Sequence, residues 1–243
     1  MMPIAYCRCC CLALCLAACL LMPAGWSAAG TLSGRIVLQN GKPLAGGLVV
    51  VYNGRTGPEP MPERYMRIPD IIGELDEQGG FRLELEPGDY YLGGLRRKDG
   101  QAGPPREGDI FFIYRGENRS ARIIRLQADS KIDLGLIVGN GPYRQPVDAP
   151  DNPATIFTGI VSYSGGKPAS GKTVVAILTR DSGSSAYIAP LTASNGRFIL
   201  RVPGGGIYRL SVWETGAPGE DDEGGETIRI ETGHEREINL RVQ

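Results

Sequence analysis

The 243-residue sequence predicts an all-β protein: two tandem antiparallel β-sandwich domains behind an N-terminal signal segment. Three observations predict it. Short apolar runs of period two or of continuous β-branched residues alternate with Gly- and Pro-rich turns, the chain holding 35 Gly and 18 Pro. The same pattern occurs twice. No stretch carries a helical period of useful length.

The first 29 residues differ from the rest, with Arg8 as their only charge, an apolar run from Cys9 to Met22, then Pro23 and small residues. That is the layout of a signal peptide. Ser27 and Ala29 suit cleavage after Ala29, whereas Leu16-Ala17-Ala18-Cys19 suits a lipoprotein signal ending at Ala18, with Cys19 lipidated and the protein membrane-bound only in that form. An apolar run of about 14 residues is short for the ~30 Å of hydrocarbon that a membrane span crosses. All six cysteines (7, 9, 10, 11, 15 and 19) lie in this segment, so no disulfide is expected beyond it.

The repeat sets the domain organisation. Residues 34–49 align without a gap on 159–174, placing Gly41-Lys42-Pro43 and Gly46 on Gly166-Lys167-Pro168 and Gly171, 125 residues later. Gly79, Phe81 and Tyr91 correspond to Gly196, Phe198 and Tyr208 at an offset of 117, and Ile132-Asp133-Leu134 to Ile238-Asn239-Leu240 at 106. The falling offset assigns two insertions to the first copy, of about 8 residues near 56–72 and about 11 near 98–118. Leu48 to Tyr52 reads as a buried strand, and Phe81, Leu83 and Leu85 alternate with charges as a strand with one buried face. The expected division is residues 30–138 and 155–243 as sandwiches, with 139–154 a semi-extended linker holding four prolines.

Charge excludes as much as it suggests. With 26 basic and 27 acidic side chains the chain offers no global field for nucleic acid. His234 is the only histidine, so the His234-Glu235-Arg236-Glu237 match to a zinc-binding His-x-x-Glu lacks its second His, and a nucleophile would lack its usual base. The acidic run Glu220-Asp221-Asp222-Glu223 lacks calcium-loop spacing and reads as a solvated loop. No cofactor, metal or catalytic residue is expected.

Gly-x-Val, Gly-Lys-Pro-Leu-x-Gly, a Val-rich strand, Gly-x-Phe and Pro-Gly-x-Tyr together resemble the carboxypeptidase regulatory-like domain. This small prealbumin-like sandwich is appended to, or repeated in, exported proteins. The resemblance covers 34–138 and 159–242 and implies a transthyretin-like fold with Phe81, Phe198, Tyr91 and Tyr208 in the cores. Active relatives of the fold use residues missing here: several histidines and a terminal Tyr-Arg-Gly-Ser, where Tyr114-Arg115-Gly116 is internal and followed by Glu117, or a first-strand Lys for self-crosslinking. The resemblance implies a non-catalytic exported adaptor contacting an envelope or extracellular protein, or alternatively a starch-binding-like module that takes a polysaccharide. Binding is expected on the insertions, at Arg64, Tyr65, Met66 and Arg67, whose residue types favour interface cores, and at Phe111, Phe112 and Tyr114. Consecutive Phe111 and Phe112 point to opposite faces of a strand, so one is a candidate for an exposed patch. Trp213 is the candidate for stacking on a sugar.

Overall fold

The computed structural model describes residues 28–100, 103–144, 154–181, 183–213 and 225–242, so residues 1–27 of the expected signal segment, Cys19 among them, and the Glu220–Glu223 run lie outside the described residues. The described chain is all-β. Its first half forms β1 (Gly30–Leu38), β2 (Leu48–Asn53), β3 (Ile71–Glu74), β4 (Gly80–Leu85), β5 (Gly88–Arg96), β6 (Ile110–Ile113), β7 (Ile124–Leu126) and β8 (Lys131–Gly139). Its second half forms β9 (Thr155–Ser162), β10 (Thr173–Arg180), β11 (Gly183–Ile188), β12 (Arg197–Val202), β13 (Gly206–Trp213), β14 (Glu226–Ile230), β15 (Glu235–Glu237) and β16 (Leu240–Arg241).

Each half is a sandwich of two sheets. In the first, β4-β1-β8 faces β3-β2-β5-β6, with β7 pairing farther along β5; in the second, β12-β9-β15 faces β11-β10-β13-β14, with β16 continuing along β9. Superposing these orders matches every strand of the second sandwich to one of the first, and leaves β6 over. That strand is the second insertion. The pairings are antiparallel with one repeated exception, because the last strand of each sandwich runs parallel to its first.

The repeated residues now have physical reasons. Gly79 and Gly196 both sit at φ +77°, and a Cβ on either would collide with a backbone carbonyl of the first strand, Ile36 O or Val161 O. Gly34 and Gly159 lie where the parallel last strand crosses closest. A Cβ at Gly159 would collide with the Ile238 carbonyl, and one at Gly34 would lie 3.1 Å from the Phe81 ring. There the register of β1 against β8 slips, between Ser33 and Arg35, and the last strand of the second sandwich breaks into β15 and β16.

Leu32, Ile36, Val49, Val51, Phe81, Leu92 and Ile137 build the first core; Phe157, Val161, Val174, Phe198, Tyr208 and Leu210 build the second. One expectation is corrected. Tyr90, not Tyr91, is the core tyrosine: its hydroxyl donates to the Glu86 carbonyl at 2.8 Å, as the Tyr208 hydroxyl donates to Gly204 at 2.7 Å. The turn before Tyr208 is one residue longer, so aligning Tyr91 with Tyr208 puts the wrong ring inside; Tyr91 packs on the outer face. That outer face explains the unbroken apolar run of β2. Val49 and Val51 face the core, whereas Val50 and Tyr52 join Phe111, Ile113 and Tyr143 in a second apolar layer on the other side of the sheet.

Candidate functional site

The two insertions of the first copy, which set it apart from the second, meet in space, and the first of them reaches the other domain. Residues 54–70 leave β2 and return to β3. At the start, the Met61 carbonyl accepts from the Arg64 and Tyr65 amides at 2.8 and 2.9 Å, tightening a turn. Residues 66–68 then run antiparallel along β11: Ile188 N donates to Met66 O at 2.9 Å, and Ile68 N donates to Ala186 O at 2.8 Å. The second sandwich thus gains an edge strand from the first domain, and the edge of β11 is covered.

Side chains of this clasp alternate as a strand requires. Tyr65 enters the second core, 5% exposed, with its ring edge-on to Tyr187 at 5.7 Å; Tyr187 meets Tyr208 at 6.3 Å, which meets Phe157 at 5.6 Å. Its hydroxyl donates to Glu59 O at 2.6 Å. Burial pushes the phenols of Tyr65, Tyr187 and Tyr208 upward, so all three are neutral at any physiological pH.

Arg67, 1% exposed, forms the polar node. Nη1 donates to Pro58 O at 2.7 Å, and Nη2 lies 2.7–2.8 Å from Asn53 O, Thr56 Oγ1 and Asp70 Oδ2. Its guanidinium lies 5.5 Å from the Tyr52 ring centre, and Asp70 also accepts from Thr56 Oγ1 and the Asn53 amide. Burying this cation is costly, and its fixed acceptors offset that cost only while all are in place. Gly57 lets the node close on the second domain, since a Cβ there would lie 2.8 Å from Ser185 Cβ and 2.9 Å from Arg67 Cζ.

The second insertion lies beside it. Both phenylalanines of β6 are buried, Phe111 beneath Tyr143 (5.9 Å, edge-on) and Phe112 in the first core. The exposed patch expected from one of them is closed because residues 140–143, from the expected linker, fold back along β6, with Tyr143 N donating to Asp109 O at 2.7 Å. Asp109 holds the loop before β6. It accepts from the amides of Lys98 and Arg106 and lies 2.9 Å from Arg97 Nε, an ion pair without hydrogen-bond geometry. Arg115 ties β6 to the clasp by bonding Glu63 at 2.8 Å, and Glu59 accepts from the Ala121 amide. Between them lies an open groove of about 400 Å³ lined by Pro62, Glu63, Phe111, Arg115, Tyr143 and Arg144. Burial raises the Tyr143 phenol to about 12, partly countered by Arg201 of the second sandwich.

The expected binding residues therefore divide. Tyr65, Arg67, Phe111 and Phe112 are taken up inside the molecule, the first two against the second domain of the same chain. Arg64 and Met66 are half-buried at the clasp, and Tyr114 is half-buried under the guanidinium of Arg122. Trp213 is half-buried, with its indole Nε1 closed off from solvent and without a hydrogen-bond partner among the described residues. His234 is exposed, and among the described residues no three His, Cys, Asp or Glu side chains gather to hold a metal. Sequence reading missed the receiving side, Ser185 and Tyr187, and the Asp109–Arg97 pair. The alternation Tyr65-x-Arg67 was its one local sign.

The class of protein is set by the sheets: an all-β chain of two tandem sandwiches. No family model matches the sequence, and no curated protein matches it. Among solved structures, 89% of the chain aligns with 34% of the Bacillus anthracis TIE protein at 12% identity and a TM-score of 0.29. A streptococcal ancillary pilin aligns over 90% of this chain and 62% of its own at 11% identity and 0.27. A DUF3823 family protein from Parabacteroides merdae aligns over 76% and 91% at 14% identity and 0.27. The chain thus spans about a third of the first of these and under two-thirds of the second.

Proposed function

We propose that this is a non-catalytic, exported adaptor built from two carboxypeptidase regulatory-like domains, presenting a fixed two-domain surface to another envelope or extracellular protein. The clasp is the observation that carries this reading. Elements that distinguish the first domain go to holding the second domain in place: Tyr65 enters its core, residues 66–68 pair with β11, and buried Arg67 fixes the loop that carries them. The partner-facing surface is the groove between Glu63, Arg115 and Arg144, where both insertions and residues 140–144 converge. Loops fixed on a rigid scaffold suit recognition, and the mix of apolar floor and arginine rim suits a protein partner.

The test is photocrosslinking in the native cell envelope, with a photoreactive residue at Glu63 or Arg144 and a control at Lys131 on the far sheet. A discrete crosslinked protein from the first two positions and none from the third supports the reading. Equal labelling from all three, or none, overturns it. The intact mass of the exported chain decides its attachment: a start at Gly30 gives a soluble form, and a lipidated Cys19 a tethered one.

A further inference from the structure

We infer that each sandwich is built to bear tension along the chain, so that the adaptor acts as a load-bearing link; this rests on the adaptor reading, since a chain joining two bodies is pulled through its ends. The observation is the parallel pairing of first and last strands. β1 runs beside β8 from Thr31↔Lys131 to Leu38↔Gly139. The chain enters at the Gly30 end and leaves at the Gly139 end, at opposite extremes of one strand pair. Pulling those ends apart slides the strands along each other and loads their evenly spaced bonds together. An antiparallel terminal pair would have both ends on one side and would peel bond by bond.

The second sandwich repeats the geometry in a weaker form. β9 pairs in parallel with β15 from Ile156↔Glu235 to Thr158↔Glu237 and with β16 at Val161↔Leu240 and Ser162↔Arg241. At the break between them, around Gly159, Thr158 O accepts from Ile238 N and Asn239 Oδ1 accepts from Ile160 N, one ladder bond being replaced by a side chain. Two short pieces share the load less evenly than the longer β1–β8 pair. The second sandwich therefore yields first.

Single-molecule pulling separates the geometries, using residues 28–243, which contain no cysteine, so that engineered thiols are the only handles. Ala29→Cys with Asn140→Cys pulls β1 and β8 in shear; Gln39→Cys with Asn140→Cys pulls neighbouring ends and unzips them. All three sites are exposed. The rupture force of the first pair is expected to exceed that of the second severalfold at one loading rate. With handles at Ala29 and a C-terminal tag, the first sandwich to open releases about 30 nm of chain and the next about 38 nm, at ~3.5 Å per residue. Equal forces in the two geometries, or the longer release coming first, overturn the inference. A crosslinked partner with equal forces would remove the load-bearing role and leave the adaptor reading standing; shear resistance without a partner would remove the adaptor reading and the load-bearing role with it, leaving only the mechanical geometry of the sandwich.

Discussion

The two sandwiches solve the same packing problem at one corner in opposite ways. In the first, Phe112 of β6 lies over Gly94 and Gly139, and a Cβ on either glycine would lie 2.5 Å from its ring. In the second, the strand registers place Val212 and Val242 at the equivalent positions, and no described strand matches β6. Both valines are half-buried against the core. Two glycines plus a visiting phenylalanine, or two valines alone, supply similar apolar volume. An insertion is thus accommodated by emptying the wall it packs on, and the same sheet then carries groove, clasp and linker contacts that the second copy does without.

Phe112→Ala gives the largest expected effect, about 3–5 kcal/mol on the first sandwich, because two glycines cannot fill the space left. Chemical denaturation followed through each domain should show the larger loss in the first, the second losing only what the clasp supplies to it. Gly94→Val alone clashes with the ring and costs roughly 1–3 kcal/mol or more. Combined with Phe112→Ala it should cost clearly less than the sum, and strict additivity would break the proposed equivalence of the two corners. Arg67→Met is the counterpart test between domains. It removes the cation paired with Asp70 and the donor to the Pro58 carbonyl, while Asp70 keeps the Asn53 amide and the Thr56 hydroxyl, and should cost about 3 kcal/mol, read as a fall in the melting midpoint.

Alkaline pH gives a smaller, graded effect. Tyr65, Tyr187 and Tyr208 have folded-state values raised above about 10 by burial, so their stabilisation is intact below that pH and declines as pH rises through the folded values. Each should remove up to about 1.4 kcal/mol per pH unit between about pH 10 and its folded-state value, and the share of tyrosinate absorbance that belongs to these three should appear with unfolding. The smallest effect belongs to the paired hydroxyls. Tyr90→Phe and Tyr208→Phe should each cost about 1 kcal/mol, equally in the two sandwiches, whereas Tyr91→Phe should cost little.

Much of the fold was legible because its determinants are local and repeated. Gly79 and Gly196 fix turns, Phe81 and Phe198 face inward by period two, and the shrinking offset located both insertions. The Tyr90–Tyr91 choice was not legible, since one residue of turn length reverses which ring faces the core. Neither was the parallel last strand, because an alternating apolar pattern carries no strand direction. The site was less legible still. Tyr65 and Arg67 have the composition of an interface, as the sequence indicates, but nothing near them states that the surface they meet lies about 120 residues onward, at Ser185 and Tyr187. Burial of Phe111 likewise depends on Tyr143 returning from the presumed linker.

If the clasp joins the two sandwiches into one body, hydrogen exchange of the Ile68 and Ile188 amides reports it, since each donates across the domain boundary. Both should be protected to a similar degree in the unaltered chain and lose protection together in Tyr65→Ala, while the Ile36 amide within the first sandwich keeps its own. Exchange of both at loop-like rates in the unaltered chain would mean that the clasp does not hold the sandwiches together.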